Sequence, residues 1–237
     1  MLQFLNVGGG LLAFAYRFGD SFTQTNLSHL FAALGCLLND DAVVDLQRLR
    51  RAHALESSFE TGREHLPVAW AAPQVKAVQW RSTATFDLVP GAPVRALALS
   101  PGGACISFNR THREIIFQSR PIAVAGTHGR GRFALFGGPH AFEAGTFGLV
   151  HQADNARFLQ NIADWLLSEA PLHEWANESQ FPTPEDSDRL QRQAQEHWND
   201  LGRVSIQNQS QSAVKLVERR LRETGILKAL NRANWAA

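Results

Sequence analysis

Near the start of the chain, Leu5-Asn6-Val7-Gly8-Gly9-Gly10-Leu11-Leu12-Ala13-Phe14-Ala15 runs from the end of a helix straight into a short, wholly apolar segment. Glycine takes a left-handed backbone at little cost, so glycines just past an apolar helical stretch stop the helix. The run behind them has the length of a strand and no polar residue to mark a solvent face, the pattern of a parallel strand covered on both sides. It predicts that residues 11–15 form an inner strand of a mainly parallel sheet, with almost no chain ahead of it to supply neighbours.

The segments that follow fit an α/β domain. Thr25 and Asn26 can cap a helix that Gly35 ends, and Leu27, Leu30, Phe31 and Leu34 fall on one of its faces. Asp40 and Asp41 turn into a short strand. Residues 57–121 carry short apolar stretches punctuated by Pro90-Gly91, Pro93 and Pro101-Gly102-Gly103, several with period two. That pattern predicts a β-rich insertion or extension on one sheet edge. Two apolar strands around Gly129-Arg130-Gly131 read as a hairpin, and Asp154-Asn155 open an amphipathic helix through Phe158, Ile162 and Leu166. Residues 1–170 thus form one α/β domain, 171–188 a proline-bearing polar linker, and 189–237 a charged helical tail.

Hydrophobic residues make up 44% of the chain and charged residues 19%, with a formal net charge of +1, so nothing draws the whole molecule to nucleic acid or an anionic membrane. No apolar run approaches the roughly 20 residues of a membrane span, and the first residues lack a secretory pattern, which predicts a cytoplasmic protein without membrane contact. Cys36 and Cys105 are far apart and read as buried thiols. The nine histidines are scattered without ligand spacing, so neither a metal nor a cofactor is expected.

His128, Arg130 and Arg132 flank glycines in one hairpin and can present cations to an anion; the alternative is a solvated basic turn. Asp20, Asn26, His140, His151 and Asp154 can meet at the carboxyl ends of parallel strands, where open α/β sheets place ligands, although Asn26 and Asp154 also suit helix caps. His140, after Gly137-Gly138-Pro139, is the leading histidine. The arginines at 48, 50 and 51 and at 219, 220 and 222 can meet nucleic-acid phosphates, but Glu218 and Glu223 interleave the second set as on a solvated helix face. Trp175, Trp198 and Trp235, with Leu216 and Leu221, give the tail the aromatic and aliphatic anchors that protein interfaces favour.

Taken in order, the segment 4–14, the segment 18–35, Thr127 to Phe142 and Asp154 to Leu167 resemble the class I glutamine amidotransferase-like superfamily, and within it a non-catalytic bacterial branch related to the GIFT domain. The resemblance implies a flavodoxin-like three-layer α/β/α sandwich. It also implies a strand, a helix and a second strand ahead of the first segment; these are missing here, so the natural start lies earlier or another chain supplies them. Catalytic members carry cysteine in a Gly-x-Cys-x-Gly elbow, where a helix N-terminus lowers the thiol pKa. Neither Leu34-Gly35-Cys36-Leu37 nor Gly103-Ala104-Cys105-Ile106 matches that elbow.

Two functions follow. One is a non-catalytic module acting through contact with a protein partner or a second copy in a larger assembly. The alternative is a cysteine-dependent hydrolase or amidase using Cys36 or Cys105 with His140.

Overall fold

The computed structural model describes residues 1–45, 58–102, 105–109, 114–116, 118–146 and 148–168. In chain order the elements are α1 (Leu2–Asn6), β1 (Gly10–Phe14), α2 (Gly19–Thr23), α3 (Leu27–Ala33), β2 (Cys36–Leu38), β3 (Asp41–Asp45), β4 (Phe59–Gly62), β5 (Ala77–Trp80), β6 (Phe86–Leu88), β7 (Val94–Leu99), β8 (Cys105–Asn109), β9 (Glu114–Ile116), β10 (Pro121–His128), β11 (Gly131–Phe136) and α4 (Asn155–Leu167).

The central sheet has the order β1-β11-β10-β7. β1 runs parallel to β11, with Phe14 opposite Phe136, whereas β10 is antiparallel to both β11 and β7. Gly129, at φ +59°, closes the β10–β11 turn with Arg130, and so tight a connection can join only antiparallel neighbours. Smaller antiparallel sheets, β2–β6, β3–β8–β9 and β4–β5, surround it.

This mixed, sheet-rich architecture corrects the expectation of a flavodoxin-like three-layer α/β/α sandwich with a mainly parallel sheet. It also corrects the placement of β1, which is an edge of the central sheet and not an inner strand. The physical reason lies in what an apolar run reports. Every residue of β11 is buried, because Ala134 and Phe136 enter one core while Phe133 and Leu135 enter another. A wholly apolar strand signals two covered faces, and an antiparallel strand covered twice looks the same in sequence as a parallel one.

One core holds Trp80, Leu97, Ile122, Phe136, Phe158 and Ile162 beneath α4; the other holds Leu5, Phe31, Leu34, Cys36, Phe86 and Phe133 beneath α1 and α3. The aromatic rings in the first are close: Phe136 and Phe142 meet edge-to-face at 4.8 Å, and Trp80 meets Phe158 at 6.3 Å.

Residues 82–85 tie the sheets together. Arg17 N donates to Ser82 O, Val43 N to Thr83 O, Asn39 N to Thr85 O, and Ala84 N to Gly137 O. This segment joins β3 to the carboxyl end of β11. It passes so close to Gly137 that a Cβ there would stand 2.0 Å from Ala84 O, so only glycine fits.

Candidate functional site

β1 and β11 end side by side, and the chain leaving each brings Tyr16 and His140 together across 124 residues: Tyr16 Oη lies 3.2 Å from His140 Nε2. On the other side of the ring, His140 Nδ1 lies 2.5 Å from Glu143 Oε2. A carboxylate can only accept, so Nδ1 carries a proton, and in the neutral ring Nε2 then accepts from the tyrosine hydroxyl. Phe22 stacks on Tyr16 at 5.3 Å, and the Arg17 guanidinium stands 5.5 Å from the Tyr16 ring and 5.6 Å from that of Phe22. Two left-handed non-glycine residues, Phe18 at φ 62° and Ser82 at φ 51°, flank the cluster. Chemically it is a carboxylate-oriented imidazole bonded to a phenol, an arrangement able to hold or pass a proton. His140 was legible in sequence. Tyr16 and Glu143 were not, because only the parallel register of β1 on β11 aligns the two strand ends.

The other residues singled out from sequence go to separate places. Asp20 accepts from Thr25 Oγ1 at 2.7 Å and from the amides of Leu27 and Ser28 at 3.0 and 2.9 Å, so it serves the free amides of α3 from a distance. Burial pushes its carboxyl up, but the hydrogen bonds from Ser28, Thr25 and Leu27 outweigh that and hold it below the ordinary value. Asn26 occupies the N-cap position without a side-chain cap bond. Asp154 likewise makes no side-chain bond within α4; its Oδ2 accepts from Lys76 N and Ala77 N, at the start of β5, and those two amide bonds lower its pKa.

The basic hairpin faces helix ends. Arg132 is buried, donates to Trp165 O at 2.7 Å and to Ser168 O, and lies 5.5 Å from the Trp165 ring. Arg130 is exposed and donates to Val7 O at 3.1 Å, just past α1. Both cations thus complement helix carboxyl termini. His128 is buried in β10, and burial holds its imidazole below the usual value, against protonation.

Cys36 is buried at the start of β2, its Sγ 3.9 Å from Leu34 O, and burial drives its thiol far above the ordinary range. Among the described residues it bonds to no histidine. A thiol held protonated in a core is a poor nucleophile. The side chain of Cys105, the arginines at 48, 50, 51, 219, 220 and 222, and Trp175, Trp198, Trp235, Leu216 and Leu221 lie outside the described residues. Among those described, no group of three metal-ligating side chains gathers, and no helix is long and apolar enough to cross a membrane.

A second surface lies at β1. Phe4 is 55% exposed, Val7 66%, Leu12 37% and Leu167 80%. Leu12 lies in β1, Phe4 lies against Gly9 just ahead of it, Val7 shortly precedes it in the chain, and Leu167 follows Leu166, whose carbonyl lies against Gly10. Arg132 N donates to Gly9 O and Ala15 N to Phe136 O, so the odd-numbered residues of β1 turn their backbone groups to β11. The N–H and C=O groups of Gly10, Leu12 and Phe14 therefore face away from the sheet, and no described strand meets them.

The overall fold resembles that of another solved structure. The mmIFT52 N-terminal domain matches with a TM-score of 0.55 at 22% identity, over 72% of this chain and 70% of that one. Cytoplasmic Protein STM1381 from Salmonella typhimurium LT2 gives a TM-score of 0.43 at 16% identity, over 70% of this chain and 58% of that one, too distant to support an argument. The chain thus shares its fold with the mmIFT52 N-terminal domain, and its own mixed sheet replaces the amidotransferase-like, flavodoxin-like assignment. No protein-family model matches the sequence, nor does any curated protein.

Proposed function

We propose that this chain is a protein-interaction module that works by contact within a larger assembly. A shared fold carries no function of its own, so the reading rests on the surface. Its main support is the exposed apolar set Phe4, Val7, Leu12 and Leu167 around an open sheet edge, where soluble domains ordinarily place charge or cover. Burial of Cys36, which raises its thiol pKa, speaks against a hydrolase built on that cysteine. In the tail, Trp175, Trp198, Trp235, Leu216 and Leu221 supply a second set of anchors toward the same assembly.

A photo-crosslinking residue placed at Phe4 or Leu167 in the full chain, expressed in cells, tests this. The expected result is a discrete adduct with another protein, lost when the same residue is placed at exposed Arg95 on β7. Absence of any adduct at both apolar positions overturns the reading.

A further inference from the structure

The edge of β1 specifies more than a generic contact. Its apolar exposure lies on both faces of the sheet. Phe4 lies against Gly9, where a Cβ would stand 2.3 Å from the phenyl ring, and the same helix carries Leu5 into the core that Leu11 and Ala13 pack against. On the opposite face are Gly10, Leu12 and Phe14. There Leu166 O would come within 3.1 Å of a Cβ at Gly10, Phe14, Trp165 and Leu166 each pack against the core beneath α4, and Leu167 follows at the end of α4.

A helix laid on this region covers one face and leaves the outward N–H and C=O groups of Gly10, Leu12 and Phe14 unmet. Only an extended segment satisfies the edge and places side chains on both faces at once. Such a segment needs apolar residues at successive positions, since its alternate side chains meet apolar groups above and below. Residues 169–237 contain no four apolar residues in succession, so they do not offer one. β1 itself does, in Leu11-Leu12-Ala13-Phe14, and no charged side chain occurs from Leu2 to Tyr16 to repel a like copy. Natural edges that stay single carry such charges or a proline.

We infer that the edge of β1 pairs antiparallel with β1 of a second copy of this chain, about a two-fold axis at Leu12. Leu12 stands opposite the second copy's Leu12, and Gly10 opposite its Phe14, so every outward backbone group finds a partner. The axis makes the patch self-complementary, as a closed dimer requires. This inference rests on the interaction-module reading and narrows it to one surface and one occupant.

The test is the mass of the full chain in solution by size-exclusion chromatography with light scattering. The expected mass is twice the chain's 26.2 kDa. Leu12→Lys puts a like charge on the axis at a site already partly exposed, and halves the mass at the same protein concentration while circular dichroism shows the fold retained. In a Cys105→Ser background, Leu12→Cys oxidises to a disulfide-linked dimer, because directly opposed antiparallel residues lie within reach of a disulfide, whereas Leu2→Cys does not.

A wild-type monomer overturns the inference. If Leu12→Cys is then slow to react with a maleimide, another segment of the same chain covers the edge; if it reacts at once, the edge is open in the isolated chain. A dimer unmoved by Leu12→Lys and uncrosslinked by Leu12→Cys also overturns it. Adducts with other proteins at Phe4 or Leu167, seen with a monomeric chain, sink the second-copy inference while the module reading stands.

Discussion

Asn155 pairs with Gln79 as a neighbouring strand would: its Oδ1 accepts from Gln79 N at 2.8 Å, and its Nδ2 donates to Gln79 O at 2.8 Å. Nδ2 also reaches Ala141 O at 2.7 Å. One fully buried amide at the first turn of α4 thus closes the edge of β5 and pins the loop after β11. With Asp154 on Lys76 N and Ala77 N, it forms the clamp between the helix and the β4–β5 sheet.

Asn155→Ala leaves an amide and two carbonyls without partners. The expected loss is about 3 kcal/mol, from three bonds at about 1 kcal/mol each, and a fall in Tm of about 6–12 °C. Thermal unfolding followed by circular dichroism measures it, and a shift of under about 1 kcal/mol contradicts the clamp.

Asp41 sets a pH dependence. It is fully buried on β3, accepts from Thr85 N at 2.7 Å, and meets the hydroxyls of Thr85 and Ser107. Burial raises its pKa, against the pull of Arg120, which itself pairs with Asp87. The folded protein therefore holds this proton more tightly than the unfolded chain. Its contribution is complete below the ordinary value of 3.8 and is lost as pH rises through the raised folded value. Asp20 and Asp154, with lowered values, act with the opposite sign, so the difference between wild type and Asp41→Asn isolates the effect. Urea midpoints from about pH 4 to 8 are expected to decline more steeply in wild type than in the variant.

Arg132→Ala removes the cation from the last carbonyls of α4 and from the Trp165 ring, with an expected loss of about 2 kcal/mol. Arg132→Lys restores part of it, since lysine keeps the charge without the planar fork. Equal losses in both variants, read from urea midpoints, leave no role for the charge.

Cys36 is expected to resist alkylation until the chain unfolds. In a Cys105→Ser background, the rate of reaction with iodoacetamide follows the unfolding equilibrium, rising with urea in step with the loss of circular dichroism. Fast labelling of the folded protein contradicts the buried thiol.

The hydrogen bonds of His140 predict the Nδ1–H tautomer for its neutral ring. Nitrogen NMR of the labelled protein reads the tautomer directly, and Tyr16→Phe shifts the Nε2 resonance by removing its donor. An Nε2–H ring contradicts the Tyr16–His140–Glu143 geometry.

Local elements were legible in the sequence because their signals are local. The apolar faces at Leu27, Leu30, Phe31 and Leu34 and at Phe158 and Ile162 placed α3 and α4, and the glycines about Arg130 placed the β10–β11 turn. The candidate site was half legible. His140 stood out beside Gly137-Gly138-Pro139, but its partners Tyr16 and Glu143 carry no pattern that links them to it. The caps show the same divide, since Asp20 serves α3 and Asp154 serves β5, each across a turn or a longer stretch that no short motif spans.

What the sequence determined by itself was where α3, α4, the apolar strands and the β10–β11 turn form, because apolar periodicity and turn chemistry are written in the order of side chains. Beyond the β10–β11 hairpin, strand direction and strand order were decided by the tertiary structure. β1 reads as an apolar run and so does β11 after Arg132, yet β11 is flanked on both edges and β1 on one. Side-chain hydrophobicity reports covered faces, whereas direction and edge are properties of backbone hydrogen bonds to distant chain, about which the side chains of a single strand say nothing.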